Sequence, residues 1–292
     1  MKFLGGMKLV SNPCPWYEKA KASSRKRQVE WLKRAAVEAY IQQHYDSFDN
    51  TLEHFKVQPS ASAKRRLDLL MQEFYLRPNS DLGKELHDRR HNHGLTECPY
   101  CGNPWVPDTL DHFLPKEDWP EYSILPNNLV PQCRSCAPIK GRRYYCPDEL
   151  RAMFLHPMYN EALSSVRFKI NVSLEGGAPK FGIEFSAARA TSSDDLDRIV
   201  LHLSKLDVKR RMLEFCFRHW SHWREKVKTN RIEIEALFRL EIGTVSTDDY
   251  GRDWETAFKK GVLRDAKALA ALNAKPPLPP VLVEPLVKLS IP

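Results

Sequence analysis

The chain has 292 residues, of which 42% are hydrophobic and 28% charged, with a formal net charge of +8. This hydrophobic fraction suits a packed core rather than a disordered chain, and the apolar runs are too short to span a bilayer. The N-terminus has no apolar stretch long enough for a secretory signal, so we expect a cytoplasmic protein. A basic balance favours polyanionic partners, because Lys and Arg displace counterions from phosphates, although many basic proteins bind none.

Helices are predicted in residues 1–93, which we expect to form a helical N-terminal region. Apolar residues recur at three- and four-residue intervals over 22–45, which predicts a first helix. The same spacing predicts a second helix from Ala63 to Tyr75, and the Pro-Asn-Ser-Asp sequence at 78–81 breaks it.

Residues 94–146 are dense in Cys, Pro, Asn and Trp and contain no long periodic segment, so something other than a large apolar interior must hold them. Two Cys-x-x-Cys pairs lie here, and a cytoplasmic chain argues against a disulfide framework. Two such pairs can complete a tetrahedral site for a structural Zn²⁺. The predicted ligands are Cys98, Cys101, Cys133 and Cys136. A closed four-cysteine site leaves no open coordination position, so this zinc is expected to stabilise the fold rather than to catalyse.

Residues 147–275 are predicted to form a β-hairpin followed by helices. Apolar residues alternate over 166–174 and 181–185, on either side of Gly176-Gly177, as they do in a hairpin. Helical spacing predicts further helices at 196–206, 212–223, 229–242 and 253–273. The segment 276–292 is proline-rich and is expected to be an extended tail.

Three motifs are interleaved with the cysteine pairs. Leu-Asp-His-Phe-Leu-Pro-Lys lies at 110–116, Pro-Asn-Asn-Leu-Val-Pro at 126–131, and Ala-Pro-Ile-Lys-Gly directly follows the second pair. They resemble the HNH endonuclease family, whose zinc-stapled members have Asp-His, then Asn-Leu-hydrophobic-Pro, then Cys-x-x-Cys-Asn-x-x-Lys. The order of the motifs makes this resemblance specific over 94–146. It implies an α+β protein with a small ββα-metal core between the helical N-terminal region and the C-terminal hairpin and helices.

Hydrolysis of a phosphodiester needs a base to activate water and a cation to stabilise the developing charge. His112 can be the base, because imidazole titrates near neutrality. The resemblance implies that Asp111 is a ligand of a hard divalent ion, Mg²⁺ or Mn²⁺, and that Asn128 orders the loop that positions the histidine. The candidate phosphate contacts, for which surface solvation is the alternative, are Lys116, Lys140, Arg142 and Arg143.

Position 137 departs from the family pattern. The family has Asn or His directly after the second cysteine pair, as the second protein ligand of the catalytic ion, whereas Ala137 has no donor atom. Because Asp111, His112 and Lys140 are intact, a single loss to alanine resembles a substitution made to trap an inactive form. The alternatives are natural inactivity or a substitute ligand, for which Asn127 and the nearby histidines are candidates.

The expected function is metal-dependent hydrolysis of DNA, with nicking by a monomer and with activity reduced or lost at position 137. Many standalone bacterial HNH proteins accompany partner proteins in anti-phage defence systems, so the resemblance also implies such a role and such partners. Two other functions remain open. One is a non-catalytic module that binds nucleic acid through its zinc-stapled basic surface, and the other is a subunit whose helical flanks dock a partner protein.

Overall fold

The structure is a computed structural model that describes residues 1–10, 14–23, 26–62, 65–229, 232–243 and 250–274. The predicted tail at 276–292 lies outside the described residues. Helices together with short antiparallel strand pairs confirm the predicted α+β class. The helices are α1 (Pro15–Lys21), α2 (Lys26–Leu32), α3 (Ala35–Glu53), α4 (Arg65–Leu76), α5 (Ser80–His91), α6 (Ala137–Lys140), α7 (Ser193–Lys205), α8 (Val208–Thr229), α9 (Ile234–Ile242), α10 (Trp254–Arg264) and α11 (Ala266–Asn273).

The strands form three antiparallel pairs within the described residues. In the first, β1 (Thr109–His112) pairs with β2 (Leu129–Gln132), and α6 follows after the second cysteine pair, which gives a ββα unit. The second joins the two-residue strands β3 (Tyr145–Cys146) and β4 (Arg151–Ala152). The third, β5 (Arg167–Glu175) with β6 (Ala178–Ser186), is the predicted hairpin.

The turn of this hairpin explains why its prediction succeeded. Gly176 and Gly177 have φ angles of 57° and 82°, the left-handed backbone that a two-residue turn between twisted strands requires. The alternating apolar side chains Phe168, Ile170 and Val172 of β5 are all buried. A strictly local pattern therefore determined both strands and the turn between them.

Several predicted helices have different bounds in the structure. The predicted helix over 22–45 is divided into α2 and α3, because the Tyr17 hydroxyl donates to the Leu32 carbonyl oxygen at 2.9 Å and Arg34 is extended, with ψ 127°. The predicted helix over 253–273 is also two helices. Asp265 ends α10 and caps α11, since its carboxylate accepts a hydrogen bond from the Ala268 amide at 2.7 Å.

Helix α5 was not predicted, although the break at 78–81 was. The side chain of Asn79 accepts a hydrogen bond from the Leu82 amide at 3.0 Å, so the residues that end α4 also begin α5. This short junction turns α5 back against β1 and β2. The junction therefore brings a second N-terminal helix to the ββα unit.

The ββα unit shares one hydrophobic core with both flanks. Buried apolar residues from the N-terminal helices, the unit itself and the C-terminal helices form one connected cluster. Residues 119–133 are all buried, and Phe48 of α3 packs edge-on against Tyr122 with a 5.1 Å centroid distance. The expectation that this segment lacks a large apolar interior is wrong, because neighbouring segments supply that interior. Among the described helices, none is both long and apolar enough to cross a bilayer.

Candidate functional site

The four predicted cysteines converge on one point. Their sulfur atoms all lie within 4.8 Å of one another and all four side chains are buried, so the cluster could hold a metal such as zinc. Gly102 follows the first pair with φ 73°, and a Cβ there would lie 2.7 Å from the ring of Phe168. Glycine is therefore required for the tight turn, and the donor set of four thiols fits a tetrahedral structural Zn²⁺.

The pKa values of the thiols in this cluster are shifted in different directions. Burial raises the pKa of Cys98, whereas hydrogen bonds from the other three thiols, Cys101 first, lower the pKa of Cys133. Thiolates so close together repel one another unless a cation offsets their charge. Binding of a divalent metal should therefore release protons from the cluster.

Asp111, in β1, is buried beside two hydrogen-bond donors. Its Oδ2 accepts a hydrogen bond from the Tyr100 hydroxyl at 2.6 Å, and its Oδ1 lies 3.0 Å from Nζ of Lys140. The Lys140 ammonium also donates to the carbonyl oxygens of His112 and Phe113, at 3.1 Å each. Lys140 is fully buried, so the expectation that it contacts phosphate is corrected: its ammonium joins α6 to the end of β1.

His112 has one ring nitrogen fixed by the backbone. Its Nε2 lies 3.0 Å from the carbonyl oxygen of Ser123. Because a carbonyl can only accept, Nε2 carries the proton and the neutral ring keeps its lone pair on Nδ1. Burial, reinforced by the charge of Lys116, lowers the pKa of His112 to about 3, so the ring is neutral at pH 7. A bound anion would raise this pKa, since a nearby negative charge favours the imidazolium.

Asn128 is fully buried and ties the loop that carries Ser123. Its Oδ1 accepts a hydrogen bond from the Leu114 amide at 2.7 Å, and its Nδ2 donates to the carbonyl oxygens of Leu114 and Tyr122 at 3.0 and 3.2 Å. These contacts join the start and the middle of the loop to its last residue, directly before β2. The carbonyl that fixes His112 is thereby held in place.

Ala137 is the first residue of α6, one turn before Lys140. Residues three apart lie near each other on a helix, and Lys140 reaches Asp111, so we expect position 137 to lie on the side of α6 toward β1. A divalent ion here would have the single carboxylate of Asp111, which already lies 3.0 Å from an ammonium. These residues do not fit a bound Mg²⁺ or Mn²⁺. Within the described parts of the chain, no second group of three His, Cys, Asp or Glu side chains converges.

The substitute ligand Asn127 is committed elsewhere. Its side-chain amide accepts a hydrogen bond from the Leu9 amide at 2.8 Å and donates to the Leu9 carbonyl oxygen at 3.0 Å. Among the nearby histidines, His93 is hydrogen-bonded to the Pro107 carbonyl oxygen at 2.8 Å. Both side chains are therefore already hydrogen-bonded to the backbone.

The other candidate phosphate contacts lie at or near the surface. Lys116 is half-buried and pairs with Glu117 at 2.7 Å, and exposed Arg142 pairs with Asp118 at 3.1 Å. Exposed Arg143 donates to the carbonyl oxygens of Ile139 and Lys140. All three cations border the loop or α6, but each already has a partner in the protein.

The sequence did not predict that residues of α4 and α5 line one side of the site. The Tyr75 ring packs edge-on against His112, with 4.4 Å between ring centroids. Nη2 of Arg90, in α5, lies 3.5 Å from the Tyr75 hydroxyl, and within the described residues no carboxylate pairs with this arginine. The periodicity of the first predicted helices placed Tyr75 on a helix, but no motif connected it to His112.

Comparison with known proteins adds one partial match. No protein-family profile and no solved structure matches the chain. Protein ea31 of Escherichia phage lambda is 29% identical over 118 residues, which are 39% of each chain. The chain thus spans about two fifths of that relative's length, and the relative's name states no activity.

Proposed function

We propose that the ββα unit is an HNH-type nuclease centre for phosphodiester bonds of DNA, left incomplete by the alanine at position 137. The observation that carries the proposal is the fixed tautomer of His112, whose Nε2 proton is directed to the Ser123 carbonyl. The unprotonated Nδ1 can accept a proton, as a general base must. The order of the three motifs around the cysteine cluster supports the same assignment.

Each polar residue of the unit has a distinct part in this proposal. His112 accepts a proton from water at Nδ1, while Asn128 keeps the loop and its Ser123 carbonyl in position. Lys140 holds the end of β1 against α6. A bound Mg²⁺ or Mn²⁺ would supply charge stabilisation at the phosphate, but Asp111 alone does not hold one. The chain as it stands is therefore expected to bind DNA and to cut it weakly or not at all.

Cleavage of supercoiled plasmid in Mg²⁺ and in Mn²⁺ tests the proposal. Ala137→Asn adds an oxygen donor facing Asp111 and should produce nicked circles. Ala137→Leu adds a side chain without a donor and should stay inactive. His112→Ala in the Ala137→Asn background should lower the rate about 10²- to 10⁴-fold, the usual cost of losing a general base.

Two results would reject this reading. If Ala137→Asn is inert in both metals, the unit is not a nuclease centre. If the unaltered chain cuts as fast as Ala137→Asn, position 137 is not the missing ligand. A role in anti-phage defence with partner proteins extends the proposal, and phage plating on cells that carry the unaltered or the Ala137→Asn gene would test it.

The second candidate function is a non-catalytic subunit that binds nucleic acid or docks a partner. The ion pair between Asp111 and Lys140 favours it, because the carboxylate is neutralised within the protein. This candidate function predicts that Ala137→Asn does not produce nuclease activity. Retained DNA affinity would then indicate a binding module, and its absence would indicate a docking subunit.

A further inference from the structure

Arg211, in α8, places its guanidinium against the four-cysteine cluster. Nη1 lies 3.4 Å from the sulfur of Cys136, and Nη2 lies 3.5 Å from that of Cys101 and 3.8 Å from that of Cys133. Nη1 also donates to the Leu206 carbonyl oxygen at 3.1 Å. Arg211 is only 6% exposed, and no carboxylate in the described parts of the chain forms an ion pair with it.

The charge of the cluster explains this placement. Zn²⁺ held by four thiolates carries a net charge of −2, and an uncompensated buried charge is costly. The guanidinium offsets half of that charge, and charge-assisted N–H···S contacts are stronger than neutral ones. A guanidinium group is not deprotonated in proteins under ordinary conditions. Arg211 therefore stays charged.

A tryptophan from α10 covers the same site. The Trp254 ring lies 5.6 Å from the guanidinium carbon of Arg211, and its Nε1 donates to the Cys101 carbonyl oxygen at 2.7 Å. Trp254 is almost completely buried. Two C-terminal helices therefore contact the first cysteine pair, one through the sulfur of Cys101 and one through its backbone.

We infer that Arg211 is the fixed counter-charge of the zinc site, and that Arg211 and Trp254 make zinc binding and the docking of α8 and α10 mutually stabilising. The inference rests on zinc at the four cysteines and not on the nuclease proposal. It assigns the C-terminal helices a part in retaining the metal. Removal of either component should weaken the other by the same free energy, because the linkage is reciprocal.

Zinc release from the full chain tests the inference. Arg211→Met removes the charge and the N–H donors but keeps an apolar stem, and it should speed zinc transfer to a chelator about 10- to 100-fold, as loss of a partner to metal ligands usually does. Arg211→Lys keeps the charge but loses the planar set of donors. Its rate of zinc transfer should lie between those of the unaltered chain and Arg211→Met. Arg210→Met is the matched control, since Arg210 is exposed and pairs with Asp207 and Glu214.

Amide hydrogen exchange supplies a second readout. Chelation of zinc should raise exchange in α8 and α10 of the unaltered chain and leave that of α3 much less changed. If Arg211→Met does not fold, Trp254→Phe, which keeps a six-membered aromatic ring but loses the pyrrole ring with its Nε1 donor, should still release zinc faster than the unaltered chain. Release from Arg211→Lys and Trp254→Phe at the unaltered rate, unchanged exchange after chelation, or folded protein without zinc would each overturn the inference.

Discussion

Lys140 illustrates how a single buried charge can organise a site. Its ammonium has three oxygen partners, one of them the Asp111 carboxylate. Replacing Lys140 by Met should lower the free energy of unfolding by about 3–5 kcal/mol, because it leaves Asp111 buried without its cation. Urea denaturation measures this loss. Arg142→Met removes an exposed pair with Asp118 and should cost below about 1 kcal/mol, and equal losses in both variants would contradict the compensating role of Lys140.

Two other histidines are held as neutral tautomers by the backbone. The Met158 amide donates to Nδ1 of His156 at 3.1 Å, and Nε2 lies 2.9 Å from the Asn127 carbonyl oxygen. The same arrangement fixes His202 between the Leu155 amide and the Tyr100 carbonyl. Burial lowers the pKa of His156 to about 3 and that of His202 to about 4.

These pKa values predict the direction of the pH dependence. Between about pH 6.5 and 4 the unfolded chain binds protons that the folded chain does not, so the histidine contribution is present above pH 6.5 and is lost as pH falls. With His112, whose pKa is lowered in the same way, three such groups give a slope of up to about 4 kcal/mol per pH unit. Urea denaturation at several pH values, with zinc content measured at each, checks it. His156→Gln should reduce the slope by about a third, and an unchanged slope would contradict the assignment.

The sequence identified residues at this scale only where a motif fixed their chemistry. The spacing of the cysteines and the Asp-His pair was sufficient to select them. The spacing did not show that Lys140 points into the protein, because a four-residue helix has no periodic pattern to define its face. Arg211 was missed because the reason for its position, the cluster charge, lies 75 residues earlier in the chain at Cys136.

At the level of elements, the loop between β1 and β2 depends on Asn128. Asn128→Ala would remove the side-chain partner of the Leu114 amide and carbonyl and one of the donors to the Tyr122 carbonyl, so unfolding should become easier by at least about 2 kcal/mol. The exchange rate of the Leu114 amide should also rise. Asn127→Ala is the matched control, because the Asn127 side chain bonds to the backbone of Leu9 and not to Leu114, so its loss should leave the Leu114 amide protected. Similar Leu114 exchange in the two variants would refute the loop-ordering role.

The elements that sequence analysis predicted well were those with local signals. The β-hairpin has its own turn and alternation, and α7 has a strong periodicity that begins after the cap residue Ser192. Helix α5 is largely polar outside its three buried residues, so its periodicity was weak. The division of 22–45 depends on a hydrogen bond between α1 and α2, a tertiary contact that periodicity does not register.

For the whole molecule, the net charge of +8 predicts electrostatic binding of duplex DNA. A handful of phosphate contacts should give a log–log dependence of affinity on salt with a slope of roughly −4 to −6. Arg90→Gln should weaken binding and reduce the magnitude of the slope by about 1 if this arginine contacts a phosphate beside His112. Gel-shift titrations across a salt series measure both. Arg239→Gln, on α9 where Arg239 pairs with Glu235, is the control, and a flat salt response would exclude binding of this kind.

The ββα unit and the regions on either side of it share one hydrophobic core. Their boundaries followed changes in composition, which do not reveal that 119–133 is covered by other segments. A chain reduced to 94–146 would expose much of that surface to water. A short stretch of sequence is therefore enough to identify the site, whereas the structure that supports it includes segments from much of the chain.

The cover of the cysteine cluster also has a consequence for synthesis on the ribosome. Arg211 follows Cys136 by 75 residues, and Trp254 follows Cys101 by 153. At about 5–20 residues per second, the last thiol of the cluster emerges roughly 4–15 s before its guanidinium partner. For that interval the nascent chain presents four uncovered thiols to oxidants and competing metals. Capture of zinc before α8 emerges would protect them, so the order of translation favours metal first and helices second.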